Sequence, residues 1–218
     1  MCNSACLQFA RSYLLEEEVK GKKVIEVGSL DVNGSVRGIV KNFEPLSYLG
    51  VDVINGPGVD EICDINDLIN HFDKESFDVV ISTELLEHVR SWRNAVSNLK
   101  NVLRPNGTLL LTTRSKGFGY HGYPFDFWRY EVDDVNVLFS DLLIEVIERD
   151  PLDPGVFVKA RKPISFSEKN LDAHDLYSII RQRRCRDIRE FDNLFFRVVK
   201  RPVRRFLSRI LPTQSSRR

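Results

Sequence analysis

Three acids and one glycine loop carry most of the chemistry that can be read in this chain. Glu26 lies inside a short apolar run, Val24–Val27, that stops at Gly28. A loop of small and turn-forming residues follows (Gly28, Ser29, Asp31, Asn33, Gly34, Ser35). An apolar-periodic segment comes next, with Val36, Ile39, Val40 and Phe43, and then a second apolar run, Tyr48–Val51, closed by Asp52. Strand, glycine loop, helix, strand, acid is the layout of a nucleotide-binding βαβ unit. Glycines let backbone approach a ligand closely, and a helix N-terminus offers unpaired N–H groups. An acid at the end of the second strand can accept both hydroxyls of a ribose. An adenosine-containing ligand is therefore expected here. Asp64 closes a third short run, Val59–Cys63, and a long loop over 114–130 gathers His121, Asp126 and Arg129 among many aromatic side chains.

The elements that must position these residues follow from periodicity. Ser4–Val19 reads as an amphipathic helix and Lys20–Lys23 as a polar connector. Gly56, Pro57 and Gly58 mark a turn after Asp52. Ile65–Phe72 is helical by spacing, and Phe77–Thr83 is a nearly unbroken β-branched run, as a parallel strand buried on both faces requires. Glu84–His88 leaves that strand, Trp92–Leu103 is a helix, and Pro105–Gly107 turns the chain into a further buried strand, Thr108–Thr113. Alternation of this kind specifies a parallel α/β sheet with right-handed crossovers. After the 114–130 loop, Glu131–Phe139 is a helix. Leu142–Arg149 and Val156–Arg161 are strands joined by a Pro/Gly turn with no helix between them, so this pair should be antiparallel.

Bulk properties bound the rest. With 218 residues, 42% hydrophobic and 29% charged, the chain fits one soluble domain with an appendage. No apolar run approaches the ~20 residues needed to span a bilayer. Acids interrupt the N-terminal segment where a signal peptide would be apolar, and a cytoplasmic protein is expected. Cys2, Cys6, Cys63 and Cys185 form no C-x-x-C pair and read as reduced thiols; no metal-ligand cluster is visible in the sequence. The net charge of +1 hides an asymmetry, because residues 181–218 hold 13 of the 32 Lys/Arg and 3 of the 31 Asp/Glu. Phe195, Val199, Val203, Phe206, Leu207, Ile210 and Leu211 fall at helical spacing, interleaved with arginines and lysines. A basic amphipathic helix over 191–211 reads as a peripheral membrane contact, at the inner face of the membrane for a cytoplasmic protein. The bland alternative is packing on its own body or on a partner subunit. Nucleic-acid binding is disfavoured, since no known module accompanies the charge. The expected organisation is a body over 1–163 and a basic helical extension over 164–218.

The ordered motifs resemble the class I S-adenosylmethionine-dependent methyltransferases. VIEVGS (24–29) looks like their first motif, LGVD (49–52) like the acid after strand two, and ICDI (62–65) like the third motif. FDVVISTELLEHV (77–89) followed by LRPNGTLLLTT (103–113) resembles the small-molecule branch. The resemblance spans roughly Val24–Arg161 and implies a Rossmann-like, doubly wound, seven-stranded and mostly parallel sheet with a terminal antiparallel hairpin. GSLDVNGSVR and YHGYPFDFWRYEVDDV look most like methyltransferases associated with polysaccharide and lipopolysaccharide synthesis. One departure stands out. The family alternates glycines in this loop, but Leu30 and Val32 occupy the later glycine positions, so the loop must turn by another route, with side-chain caps from Asp31 and Asn33.

The resemblance implies S-adenosyl-L-methionine as cofactor and assigns roles. Glu26, Gly28, Ser29 and Asp31 would meet its amino end; Asp52 and Val53 its ribose; Asp64 and Ile65 its adenine; Thr83 and Glu84 its methionine moiety. Each has a plainer alternative: an ion pair for Glu26, a turn for Gly28, a surface acid for Asp52, a helix cap for Asp64, and a structuring role for His88. Methyl transfer to a hydroxyl needs in-line positioning and removal of a proton. His121, with the right intrinsic pKa, and Asp126 are the candidate bases; the plainer alternative for Trp128–Tyr130 is packing of the loop onto the body. The expected acceptor is a sugar hydroxyl of a glycan or glycolipid intermediate, with another small molecule or RNA as the alternative. A non-catalytic module that kept the fold is disfavoured, because a dead pocket needs neither Asp52 nor Asp64. A nicotinamide-dependent oxidoreductase would want G-x-G-x-x-G in this loop, which the chain lacks.

Overall fold

The computed structural model describes residues 3–122, 125–196 and 198. The elements in chain order are α1 (Ser4–Tyr13), α2 (Glu16–Val19), β1 (Lys23–Val27), α3 (Arg37–Lys41), β2 (Ser47–Asp52), β3 (Glu61–Ile62), α4 (Leu68–Phe72), β4 (Phe77–Thr83), α5 (Trp92–Val102), β5 (Leu103–Arg114), β6 (Trp128–Arg129), α6 (Val132–Leu138), β7 (Leu143–Arg149), β8 (Gly155–Arg161), β9 (Leu176–Ser178), β10 (Arg183–Cys185) and α7 (Glu190–Phe195). One sheet has seven strands in the order β3-β2-β1-β4-β5-β8-β7. Its first five strands pair in parallel, and β8 inserts antiparallel between β5 and β7. The terminal antiparallel hairpin is thus present.

The continuous apolar runs have a direct cause. Successive side chains of a strand point to opposite faces, and both faces are covered. Val24 of β1, Val79 and Ile81 of β4 and Leu110 of β5 pack with Ala5, Phe9, Val36 and Val40 on one face. Ile25, Val80, Leu109 and Leu111 pack on the other, against Val96 and Leu99 of α5 and Val135 and Leu138 of α6. The strand order reverses between β1 and β4, and the crevice above the carboxyl ends at such a switch point is where open α/β sheets bind ligands.

Three local differences from the sequence reading have clear reasons. The N-terminal helix breaks at Leu14, whose backbone turns extended while its side chain stays buried, giving α1 and α2. The helix after the glycine loop spans only Arg37–Lys41. The chain after Pro163 does not go straight into a basic helix. It folds back as β9 and β10, and β9 pairs with β6 to make a three-stranded sheet. Leu171, Leu176, Ile180, Ile188 and Phe196 join the core there, and the Arg93 guanidinium ties the segment down through the Leu171, His174 and Arg186 carbonyls at 3.0, 2.8 and 2.9 Å. These apolar residues fall at irregular spacing (171, 176, 180, 188 and 196), so no strand or helix periodicity announces them. The amphipathic stretch at 199–211 lies outside the described residues.

Candidate active site

The glycine loop is braced from three sides. Gly28 and Ser29 donate their N–H groups to the Val51 carbonyl at 2.9 and 3.1 Å, and Asp31 N–H reaches the Pro57 carbonyl at 2.8 Å. The Asp31 carboxylate accepts from Gly34 N–H at 2.8 Å, the side-chain cap that a loop lacking the usual glycines needs. Gly28 has φ +83°, and a Cβ there would stand 3.0 Å from the Leu85 side chain, so this position takes glycine both for its torsion and for space.

A cavity of about 660 Å³ opens at the switch point. Glu26, Gly28, Ser29, Asp52, Val53, Asp64, Ile65, Thr83 and Glu84 all line it. Asp31 does not; its carboxylate is occupied in shaping the loop. Asp52 accepts backbone N–H groups from Leu30 on one oxygen (3.3 Å) and from Ile54 on the other (3.1 Å), which fixes the carboxylate and leaves a second lone pair on each oxygen. Asp64 caps the following helical turn, and both its bonds, from Asn66 N–H (2.8 Å) and the Asn66 amide (2.9 Å), fall on Oδ1. Glu26 is buried, and the Tyr48 hydroxyl donates to it. Burial pushes the Glu26 carboxyl up to about 7; Tyr48 and the nearby Arg37 pull it down, while Asp31 and Asp60 oppose them.

Beyond β4 the wall changes character. Glu84 is buried at φ +55°, an unfavourable torsion for a residue with a side chain, and its carboxylate pairs with the buried Arg114. Arg114 also donates to Asp150 at 2.9 Å. Burial, then the neighbouring Glu87, hold the Glu84 carboxyl well above the ordinary range. A 3-10 turn, Leu86–His88, follows. His88 lines the cavity, and its Nδ1–H donates to the Phe125 carbonyl. His121 sits behind it, the two rings 4.8 Å apart and near-perpendicular. Neither His121 nor Asp126 lines the cavity.

The 114–130 loop is held flat against this turn. Asp126 is fully buried and takes two bonds from the Arg129 guanidinium. Arg129 also donates to the Phe118 and Gly119 carbonyls at 3.1 and 2.8 Å. The Trp128 indole reaches the Arg90 carbonyl at 3.0 Å and the Tyr130 hydroxyl the Leu86 carbonyl at 3.1 Å. Trp128–Tyr130 therefore pack the loop onto the body. His121 is not the free base its intrinsic pKa suggests. Burial lowers it, but its contact with Asp126 and the nearby Glu87 carboxylate outweigh that and carry it up to about 9, so the ring is protonated at neutral pH. Asp126 is held below the usual carboxylate range, since the Arg129 and His121 bonds outweigh its burial.

A methyltransferase-domain family model matches residues 7–143. The chain belongs to this methyltransferase family. No curated protein matches it. Solved structures share the methyltransferase's fold. A S-adenosylmethionine-dependent methyltransferase from Mesorhizobium loti is 19% identical at a TM-score of 0.56, over 73% of this chain and 99% of that one. The Burkholderia thailandensis 1,6-didemethyltoxoflavin-N1-methyltransferase, solved with its substrate and S-adenosylhomocysteine, is 14% identical at a TM-score of 0.58, over 74% of this chain and 80% of that one. S-adenosylmethionine is the cofactor of this methyltransferase, and the cavity fits it. The Asp52 carboxylate is pre-set at the end of β2, and Gly28 leaves a cradle that a Cβ would fill.

Several lining residues escaped the sequence reading. Arg90, Phe125, Phe127, Glu190, Asn193 and Leu194 border the mouth, and the last three come from α7. Only the aromatic density of the 114–130 loop hinted at Phe125 and Phe127; nothing local pointed to α7. The sequence reading also found no metal-ligand cluster. In the structure, one ligand atom each from Glu87, His88 and His121 lie within 4.8 Å of one another. His121 reaches its partners only because the loop folds back, and sequence spacing does not encode that.

Proposed function

We propose that this methyltransferase transfers a methyl group to a hydroxyl of a polar acceptor, most simply a sugar hydroxyl of a glycan or glycolipid intermediate. Bound S-adenosylmethionine supplies an electrophilic methyl on a sulfonium; the sulfur–carbon bond breaks, a carbon–oxygen bond forms, and the hydroxyl proton leaves to solvent. Glu26, Gly28 and Ser29 hold the amino-acid end, with Thr83 and Glu84 alongside. Asp52 and Val53 take the ribose, and Asp64 accepts the adenine amino group on Oδ2 while Ile65 covers the ring. Asp31 acts through the loop it caps. The acceptor enters at the His88 end. His121 and Asp126 serve as positioning residues for that end, because both stand behind His88.

The mouth carries the acceptor reading. Aromatic Phe125 and Phe127 beside Arg90, Glu190 and Asn193 combine ring faces with charged and amide groups, the mixture that binds sugars. A lipid-linked acceptor is favoured by the exposed apolar side chains Phe191, Leu194, Phe195 and Val198 on and after α7, of which Leu194 lines the mouth. Among the described residues no helix is long and apolar enough to cross a membrane, so the proposed contact is peripheral. Transfer of label from methyl-labelled S-adenosylmethionine to nucleotide sugars, free glycans, glycolipid in vesicles, and RNA decides among acceptors. Label on a glycan hydroxyl is the expected result. Label on RNA or on a nitrogen atom alone would overturn the acceptor reading.

Glu26 adds a pH signature. A carboxyl at about 7 in the empty cavity is half-protonated at neutral pH, and only its ionised form pairs with the cofactor's ammonium group. Cofactor affinity should therefore rise with pH through about 7, losing up to tenfold per pH unit below it. Calorimetry across that range reads the slope, and Glu26→Gln should flatten it. An equal slope in wild type and variant would remove Glu26 from the pairing.

A further inference from the structure

The cluster behind the cavity has an unfilled electrostatic requirement. Three buried acids meet there, and two have guanidinium partners: Glu84 with Arg114, and Asp126 with Arg129. Glu87, fully buried, has none. Its Oε2 accepts from the Thr113 hydroxyl at 2.9 Å, while its buried Oε1 accepts no hydrogen bond from any described residue. Oε1 faces His88 Nε2 at 3.9 Å and His121 Nε2 at 3.7 Å, too far for hydrogen bonds but spaced as ligands around a common ion. The protonated His121 ring offsets the charge of Glu87 from 3.7 Å without touching Oε1, so a buried carboxylate oxygen with no direct partner remains, which a bound cation would meet.

Both rings are prepared from behind. His88 Nδ1–H donates to the Phe125 carbonyl, and His121 Nδ1 lies 3.1 Å from Asp126 Oδ2. The second nitrogen of each ring faces the cluster; on His88 it is a lone-pair donor, and on His121 it carries a proton that a bound cation would displace. A carboxylate or a carbonyl behind the imidazole is the usual support of a metal-ligating histidine.

We propose that Glu87 Oε1, His88 Nε2 and His121 Nε2 bind one divalent cation. Two imidazoles and one carboxylate favour a transition-metal ion over magnesium or calcium, which prefer oxygen ligands throughout. Three protein ligands leave coordination positions open. Since His88 borders the cavity, the open positions face the acceptor, and a vicinal pair of hydroxyls could fill them. The cation would then orient the acceptor and ease loss of its hydroxyl proton to solvent. That second step rests on the hydroxyl-acceptor reading; cation binding itself does not.

Cobalt(II) titration of the full chain tests the site without turnover. One equivalent should bind with visible ligand-field absorption, and excess magnesium should not displace it. Glu87→Gln and His121→Ala should each weaken binding at least tenfold, whereas Asp52→Ala, which addresses only the cofactor, should leave the absorption unchanged. Wild-type protein gives a second measurement that needs no variant. Of its four histidines, the ring resonances of His88 and His121 should shift on binding. Absence of binding, a signal that survives Glu87→Gln, or shifts confined to His71 and His174 would overturn the site. Cation binding with no label on any hydroxyl acceptor would leave the site standing and remove the acceptor reading instead.

Discussion

Asp52→Ala should lower S-adenosylmethionine affinity roughly 10²–10⁴-fold, measured by calorimetry. The carboxylate stands at the carboxyl end of β2, oriented by Leu30 and Ile54 N–H groups, with one further acceptor position on each oxygen. Two ribose hydroxyls donating to an ionised group contribute about 1.5–3 kcal/mol each, and every 1.4 kcal/mol is about a tenfold change in affinity. Alanine also releases the two loop N–H groups, so some of the loss comes from a loosened glycine loop. Asp52→Asn separates the parts. It keeps one acceptor oxygen and the side-chain volume but loses the charge, and it should fall between wild type and alanine. Unchanged affinity in both variants, with the thermal midpoint intact, would place the ribose elsewhere.

What the sequence could tell about this site follows from how each feature is encoded. The cofactor cavity was legible because its residues sit at the ends of β1, β2 and β4, and a strand end shows itself as the stop of an apolar run. Nine of the ten predicted cofactor residues line the cavity. Asp31 does not line the cavity but caps the loop at Gly34, the side-chain turn that a loop lacking the usual glycines was expected to use. The sheet was legible for the same reason as the cavity: Val24, Val79, Ile81 and Leu110 alternate with Ile25, Val80, Leu109 and Leu111 across two covered faces.

The acceptor side was not legible, because tertiary contacts alone assemble it. Nothing local singles out Glu87; its burial and the return of His121 set its environment. His88 looked structural, and it does hold the loop through the Phe125 carbonyl while also lining the cavity. The residues after Pro163 that join the core are irregularly spaced in sequence. Their contribution appears only once β9 pairs with β6 and brings α7 to the mouth.

The largest stability effect should come from Asp126. Replacing it with alanine strands the Arg129 guanidinium, which is 1% exposed and loses both bonds to its only carboxylate partner among the described residues. Removing one member of a buried ion pair costs about 3–5 kcal/mol, because the remaining charge stays out of water. Chemical denaturation of Asp126→Ala should show a loss of that size. Asp126→Ala/Arg129→Met removes both charges, and a hydrophobic replacement of a buried pair is often nearly neutral. The double variant should therefore regain more than half of the loss. It should not regain all, since in the double variant the Phe118 and Gly119 carbonyls lose their guanidinium donor. Turnover should behave differently. Both variants remove the carboxylate behind His121 Nδ1, so both should stay slow although only one is badly destabilised. Recovery of turnover together with stability would mean that Asp126 only braces the loop. A single variant that loses less than about 1 kcal/mol would mean that water already reaches the pair, as for a surface salt bridge.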